Sequence, residues 1–287
     1  WTSFGEGSLP TLGFLHDAPA APALVTVGAP GVLVPGAADG RGWVTASFGW
    51  MGEATALSST PAATWVATEG GLHRLFQRGL AAVVPLPNGL TRARFLAGNG
   101  RDVWTFDDQL RPLGYTQGAW RDAAEIPPVP GVPGADPRPM GLHVAESGDV
   151  YFAGSWLRGD KQVFNRLYQL RGAAWREVVA TMGEFGREER AAFTSGAEGP
   201  VYFSNHGVYA VQDGNGRIFD AMARPVDLAL DGARNLLGLE EAAVIVWSPN
   251  GQRVQTLPLP TALRGRFQHV HRDALGRVRV SNPAGHV

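Results

Sequence analysis

The sharpest candidate for chemistry in this sequence is a pair of histidines two residues apart, His269 and His271. Side chains alternate across a β-strand, so both imidazoles are expected on the same face. His143 stands in a similar strand-like stretch. Three imidazoles converging on one point would form a transition-metal site, whereas separated imidazoles would line a polar channel. We expect the channel lining, with no metal and no cofactor held there, because no carboxylate accompanies the pair at a defined spacing.

Other segments offer weaker signals for ion binding or catalysis. The run Asp213–Gly216 begins with alternating oxygen ligands, as a calcium loop does, but the later bidentate glutamate of such a loop is missing. We predict a hairpin turn there instead, since Asn-Gly is a favoured turn pair. The sequence has no Gly-x-Ser-x-Gly elbow, no His-Glu-x-x-His pattern and no phosphate loop between a strand and a helix. It therefore predicts no catalytic residue.

Four residues are candidates for surface recognition. Trp50 and Trp156 lie outside the clearest strand segments, so we expect their rings to be exposed. Arg187 and Glu188 belong to a charged run that is typical of a solvated loop or of a recognition patch. The alternatives are packing between sheets for the tryptophans and plain solvation for the charged pair.

A repeated strand–turn–strand unit must position these candidates. An apolar strand, a small turn with Gly or Asp, and a second strand beginning with an aromatic or β-branched residue recur along the chain. Thus Glu146–Asp149 lies between Leu142–Ala145 and Val150–Ala153, and Gly196–Pro200 precedes Val201–Ser204. Two further strand-like stretches follow the clear copies. The unit is predicted to be a four-stranded antiparallel meander.

The second strand of each unit carries a marker residue from which the units can be counted. Successive markers are 34 to 51 residues apart, close to the roughly 40–50 residues of one β-propeller blade. We predict an all-β fold with a single domain over residues 1–287, a β-propeller of six four-stranded blades. The markers are Trp65, Trp104, Tyr151, Tyr202, Leu236 and Val278.

The two ends of the chain decide how such a ring closes. The last unit, 267–281, has only two strands, whereas Ala23–Phe48 contains strand-like stretches without a unit of their own. We predict that these N- and C-terminal strands share one blade, since closure hides sheet edges. The alternative is seven blades, with Ala23–Phe48 as a small blade of its own. The proline-rich segment Ile126–Met140 is predicted to be an extended surface connection, because proline cannot donate the hydrogen bonds of a central strand.

The segment Thr64–Leu75 resembles the repeat of the two-component-regulator-type propellers, in which a Trp-led strand passes through Thr and Gly-Leu into the next strand. The strand, Asp/Gly turn, strand phrase also resembles the NHL and gluconolactonase propellers. This resemblance implies a fold and not a function. Gluconolactonase-like propellers hold a divalent cation with Glu, Asn and Asp ligands, and the nearest residues of those types here are Glu146, Asn205, Asn235 and Asp227.

Composition narrows the classes of partner and compartment. A net charge of −1 gives no broad positive field for nucleic acid. The sequence contains no run of about 18 consecutive apolar residues, so it predicts no membrane-spanning helix. The sequence has no cysteine, so neither disulfides nor thiolate metal sites are available. The chain starts at Trp1 and not at methionine, so its start has been lost either through processing or through trimming of the sequence. We expect processing of an exported, periplasmic or cell-envelope protein, with the cytoplasm as the alternative.

These features together predict a non-catalytic scaffold or binding module of an exported protein. We expect it to bind a protein or another macromolecule through one face of the disc. The alternative is an enzyme with its site at the central tunnel, either a divalent-metal-dependent hydrolase of the lactonase type or a quinoprotein-like enzyme. The metal content of the purified protein separates these two classes.

Overall fold

The structure is a computed structural model, and it describes most of the chain. In the described part the protein consists of β-strands joined by turns, and no helix there has the length and apolar character needed to cross a membrane. The described residues are 11–14, 24–26, 32–35, 43–46, 54–60, 63–76, 79–87, 90, 93, 95–107, 111–127, 136–158, 162–182, 191–261, 264, 267–272 and 276–281.

The strands of the described residues form seven antiparallel sheets in chain order, six of four strands and one of two. Sheet 1 contains β1 (Thr11–Phe14), β2 (Leu24–Thr26), β3 (Val32–Pro35) and β4 (Trp43–Ala46). Sheet 2 contains β5 (Ala56–Ser59), β6 (Thr64–Thr68), β7 (Gly71–Phe76) and β8 (Gly79–Val84). Sheet 3 contains β9 (Leu96–Gly98), β10 (Val103–Phe106), β11 (Pro112–Thr116) and β12 (Ala119–Asp122).

The remaining sheets repeat the same order of strands. Sheet 4 contains β13 (Asp136–Val144), β14 (Val150–Arg158), β15 (Gln162–Arg171) and β16 (Ala174–Met182). Sheet 5 contains β17 (Ala192–Ser195), β18 (Val201–Ser204), β19 (Val208–Gln212) and β20 (Asn215–Asp220). Sheet 6 contains β21 (Asp227–Leu230), β22 (Leu236–Leu239), β23 (Ala243–Trp247) and β24 (Arg253–Pro258). Sheet 7 contains β25 (His269–Arg272) and β26 (Val278–Ser281).

The predicted repeat is confirmed as a four-stranded meander. Each marker residue lies in the second strand of its sheet, from Trp65 in β6 to Val278 in β26. Within each meander the turn between the first and second strands lies at the same end as the turn between the third and fourth. The turn between the second and third strands lies at the opposite end.

The predicted count of six blades and the shared terminal blade are not confirmed. The strands β2, β3 and β4 pair with one another and with β1, while β25 pairs only with β26 among the described residues. The reason is that Thr11–Phe14 supplies a first strand for the N-terminal sheet, which therefore completes itself. The alternative of a separate N-terminal unit agrees better with this pairing.

The first strands of the sheets lie side by side. Each contacts the first strand of the next sheet, in the order β1, β5, β9, β13, β17, β21 and β25, and β25 contacts β1 in turn. In the described residues this last contact joins sheets 1 and 7 without a hydrogen-bonded ladder. The first strands therefore surround a common centre, which matters for the histidines.

The proline-rich segment 126–140 is partly a strand and not only a connection. β13 begins at Asp136 and pairs with β14, and its register shifts between Pro139 and Gly141. Proline is tolerated there because β13 is the first strand of its sheet, so one side of its backbone has no ladder partner.

Apolar cores lie between neighbouring sheets, where side chains of one sheet pack on the facing side of the next. Between sheets 5 and 6, Tyr202 and Val208 pack with Leu228, Leu236 and Trp247. Such large apolar side chains contribute about 1.5–3 kcal/mol each on burial. This packing fixes the two sheets whose turn ends carry the site described below.

Candidate functional site

A central cavity of about 310 Å³ is lined by the first strands of sheets 2 to 7. All three histidines singled out by the sequence, His143, His269 and His271, belong to this lining. They come from β13 and β25, which are first strands of their sheets, as the position of each histidine before an Asp/Gly turn indicates. Between the two histidines of β25, Val270 packs in the apolar core between sheets 6 and 7.

His143 is held by its neighbour β17. Its Nε2 atom lies 2.8 Å from the hydroxyl oxygen of Ser195, and its ring stacks on that of Phe193 with 5.6 Å between centroids. Burial lowers the pKa of His143 to about 4, so its imidazole is neutral at physiological pH. The hydrogen bond to Ser195 and the stacking on Phe193 together fix the ring. The Nε2 atom is thus bonded within the fold.

A carboxylate, Asp227, accompanies the histidines of β25 across the boundary between sheets 6 and 7. Its Oδ2 atom accepts a hydrogen bond of 2.8 Å from the backbone N–H of Val270 and lies 3.9 Å from Nδ1 of His269. Burial raises the pKa of Asp227 to about 7, and hydrogen bonds from the backbone N–H groups of Val270 and Leu228 act in the opposite direction. The carboxylate therefore joins β21 to β25.

The spacing of the polar groups around the cavity bears on whether a metal ion could be held there. Among the described residues no three His, Asp or Glu side chains lie close enough together to hold an ion. Of the four residues suggested by the gluconolactonase resemblance, only Asp227 lines the cavity. Asn205 accepts a hydrogen bond from Asn165, Asn235 donates to Asp231, and Glu146 lies in the turn before β14.

Of the four candidates for surface recognition, only Trp156 lies among the described residues. Trp156 is only 1% exposed and packs against Phe152 and Tyr168, so its prediction as a surface residue is wrong. It lies on β14, which is longer than the repeat indicated and carries the ring into the core between sheets. Trp50, Arg187 and Glu188 lie outside the described residues.

A larger concave surface, which we call the turn-face groove, was not predicted. It has a volume of about 590 Å³ and lies between the turn ends of sheets 5 and 6, beside β25. Its lining comes mainly from the β17–β18 and β21–β22 turns and from the strands β18, β19 and β20. It shares Ser195, Leu230 and His271 with the central cavity, so the two spaces adjoin.

Two ion pairs connect the turns around this groove. Arg234 of sheet 6 donates to Glu198 of sheet 5 at 2.8 Å, with both side chains more than half exposed. Arg272 of sheet 7 donates to Asp231 of sheet 6 at 2.5 Å. The two carboxylates of the lining therefore each have an arginine partner.

Asp231 is the structural centre of the β21–β22 turn. Its side chain is 4% exposed and accepts hydrogen bonds from the backbone N–H groups of Ala233 and Asn235, and from the amide of Asn235. With Arg272 it thus satisfies four donors at once. In the sequence, Asp231-Gly232 indicates only a turn, and its role in joining sheets is visible only in three dimensions.

Tyr202 and Arg217 face the groove from a single row across sheet 5. Tyr202 pairs with Ala210 across β18 and β19, and Ala210 pairs with Arg217 across β19 and β20, so all three side chains share one face. The tyrosine is 3% exposed, with its ring edge against Phe219 at 5.1 Å. Alanine between two long side chains leaves room for them to meet.

Neither the Tyr202 hydroxyl nor the Arg217 guanidinium has a partner in the described part of the chain. The Tyr202 hydroxyl makes no hydrogen bond, and the Arg217 guanidinium, which is exposed, makes neither a hydrogen bond nor an ion pair there. Burial raises the pKa of Tyr202, and the charge of Arg217 acts in the opposite direction, which shows that the two groups are neighbours. The phenol is therefore a protonated donor beside a cation.

Comparison with known proteins identifies the architecture. No protein-family profile matches the sequence, and no curated protein matches it. Among solved structures, virginiamycin B lyase from Staphylococcus aureus is 12% identical with a TM-score of 0.61, covering 99% of this chain and 97% of its own. YCF48 bound to D1 peptide is 12% identical with a TM-score of 0.59, covering 100% and 93%. The fold is a β-propeller.

A third similar structure is the extracellular domain of the two-component system BT4673 from B. thetaiotaomicron. It is 12% identical with a TM-score of 0.63, and the match covers 97% of this chain but only 38% of that one. This chain therefore spans well under half of the length of that extracellular domain. At such identities the likeness concerns the fold alone.

Proposed function

We propose that this β-propeller is a non-catalytic binding module, and that it takes a segment of another protein in the turn-face groove. The observation that carries the proposal is the groove itself, a concave surface of about 590 Å³ whose lining combines a buried phenol, an exposed guanidinium and turn backbone. Concave sites with a few convergent polar groups are the usual places for ligands. Loops on a rigid scaffold are the usual carriers of binding residues.

The proposal favours binding over hydrolysis for a geometric reason. A lactonase-like site needs several oxygen ligands converging at the tunnel, whereas the Asn and Glu residues nearest to that pattern lie away from the cavity lining. Two of the polar groups that do line the cavity are bonded within it, since His143 bonds Ser195 and Asp227 accepts from the N–H of Val270. Structural relatives include YCF48, which was solved with D1 peptide, and an extracellular domain, so a peptide partner and an exported location form part of the proposal.

The test fills the groove with a side chain and leaves the fold intact. A Cβ added at Gly232 meets no atom within 4 Å, and this residue lines the groove, so Gly232→Phe starts its side chain in open space at the groove wall. The matched control is Gly70→Phe, since Gly70 is exposed in the β6–β7 turn at the opposite end of the sheets and has only an ordinary contact.

A library of displayed linear peptides is selected on the wild-type chain, and the Kd of each enriched peptide is then measured on both variants. We expect Gly232→Phe to weaken binding by about tenfold or more, equivalent to about 1.4 kcal/mol, and Gly70→Phe to leave it unchanged. Enriched peptides that bind Gly232→Phe as tightly as the wild type would contradict the proposal. A library from which no peptide is enriched would contradict it as well.

A further inference from the structure

The charges of the turn-face groove do not balance. Its lining contains the carboxylates of Glu198 and Asp231 and the guanidinium groups of Arg217, Arg234 and Arg272. Two of these arginines are paired with the two carboxylates, at 2.8 Å and 2.5 Å. Arg217 remains, and it has no carboxylate partner in the part of the chain that the structure describes. The groove therefore offers one cation to whatever enters it.

A second donor stands beside this cation. Tyr202 lines the groove, and its side chain is more than nine-tenths buried. Its hydroxyl has no hydrogen-bond partner among the described residues. The ring is buried, whereas the hydroxyl reaches the open wall of the groove and is not among the enclosed polar atoms without a partner. A bound acceptor can therefore take the place of solvent at this hydroxyl.

The register of sheet 5 holds the two donors together. Tyr202 and Arg217 are two strands apart, with Ala210 between them on the same face. Strands lie about 4.8 Å apart, so the two backbones are separated by roughly 9–10 Å, a span that side chains as long as tyrosine and arginine can bridge from one face of the sheet. The strands fix the two backbones relative to each other, so part of the ordering cost of binding is met before a ligand arrives.

We infer that the turn-face groove recognises an acidic side chain of the partner segment, whose carboxylate accepts hydrogen bonds from the Arg217 guanidinium and the Tyr202 hydroxyl. This inference rests on the proposed function and names the chemistry of the ligand at the same site. Hydrogen bonds with at least one charged partner are about twice as strong as bonds between neutral groups. The planar guanidinium of arginine also matches the geometry of a carboxylate. One carboxylate also neutralises the charge of Arg217.

The test uses defined probes and observes Arg217 directly. The probes are three capped heptapeptides of alternating Gly and Ser whose central residue is Glu, Gln or phosphoserine. Each is titrated into the full chain labelled with ¹⁵N-arginine, and the Nε–Hε signal of Arg217 is followed. We expect a saturable shift with the Glu peptide and none with the Gln peptide, because only the former carries the carboxylate.

Variants assign the effect to the two donors. Arg217→Gln is expected to weaken the Glu peptide about tenfold, and Tyr202→Phe about threefold, measured by the backbone signals of the groove turns. Arg176→Gln is the matched control, since Arg176 is exposed on β16 outside the groove. Tyr202→Phe removes a hydroxyl without a partner, so the fold itself should keep its stability.

Three results would overturn the inference. Equal shifts with the Glu and Gln peptides would mean that the groove binds peptides without reading the carboxylate, which leaves the proposed function standing. A stronger response to phosphoserine than to Glu would replace the carboxylate with a phosphate. Shifts with none of the three would remove this ligand class, and the peptide selection with Gly232→Phe would then decide the proposed function by itself.

Discussion

The central cavity and the turn-face groove adjoin each other and share His271, yet they differ in how their main polar groups are bonded. In the cavity His143 bonds Ser195, and Asp227 accepts from Val270. In the groove Tyr202 and Arg217 have no such partner in the described residues. The bonds of His143 and Asp227 join neighbouring sheets of the fold itself, whereas Tyr202 and Arg217 are placed to meet a ligand. Residue types alone favour the cavity as the binding site, whereas the hydrogen bonds of the described residues favour the groove.

The largest effect is expected where the groove wall is itself structural. Asp231→Ala leaves two backbone N–H groups, the Asn235 amide and the Arg272 guanidinium without their acceptor. Removing one partner of a buried ion pair costs about 3–5 kcal/mol. We expect urea denaturation to show a loss of that size. A loss below about 1 kcal/mol would mean that the turn network does not join sheets 6 and 7.

The next effect is a pH dependence that arises in the cavity. The pKa of His143 in the folded state, about 4, is below its ordinary value of 6.5. Above pH 6.5 the imidazole is neutral in both states; as the pH falls from 6.5 to 4, only the unfolded chain takes up the proton, so stability is lost. The full loss is about 3 kcal/mol, from about 1.4 kcal/mol for each pH unit.

This pH effect is isolated by comparing the wild type with His143→Gln. Other titrating groups, including Asp227, are present in both chains and cancel in the difference. We expect the free energy of unfolding of the wild type to fall more steeply between pH 6.5 and pH 4 than that of the variant. Parallel pH profiles would show that His143 is not kept neutral by burial.

A smaller pair of effects compares one hydroxyl from each region. Ser195→Ala removes the hydroxyl bonded to His143 and should cost about 1 kcal/mol, whereas Tyr202→Phe removes an unbonded hydroxyl and should cost nothing measurable. Guanidinium denaturation of the two variants and the wild type measures both values. Equal losses for the two would remove the distinction between a satisfied cavity and an unsatisfied groove.

The smallest effect is expected at the rim of the groove. Glu198→Gln breaks the ion pair with Arg234, but both side chains are mostly in solvent, at 78% and 62% exposed. Exposed pairs contribute about 0.2–1 kcal/mol, and salt screens them. We expect a change of the melting temperature within about 2 °C, and a large loss would indicate that the rim is structural.

The sequence predicted the repeat because the repeat is local. Strand alternation and turn residues lie within a few positions of each other, so the second-strand residues from Trp65 to Val278 could be identified. The N-terminal sheet was misjudged because its second strand, Leu24–Thr26, has no aromatic marker and its first strand, Thr11–Phe14, was not recognised as a strand. Trp156 was misjudged because the length of β14, which decides its burial, depends on the neighbouring strands.

The groove could not be predicted for a related reason. Its wall joins residues such as Glu198 and Arg234 that are far apart in the chain and meet only when sheets 5 and 6 stand side by side. A weak signal does exist in sheet 5, where a tyrosine marker pairs with a small alanine and then with an arginine. Recognising it requires the strand register, which depends on the turns.

The most direct test of the account is to map where an enriched peptide acts on the chain. Backbone and side-chain chemical shifts are measured for the labelled protein with and without a peptide selected on the wild type. We predict that the perturbed signals cluster at Tyr202, Arg217 and Gly232, with those of His143 and Asp227 nearly unchanged. Perturbations confined to His143, Asp227 and the other residues of the central cavity would contradict the assignment of binding to the turn-face groove.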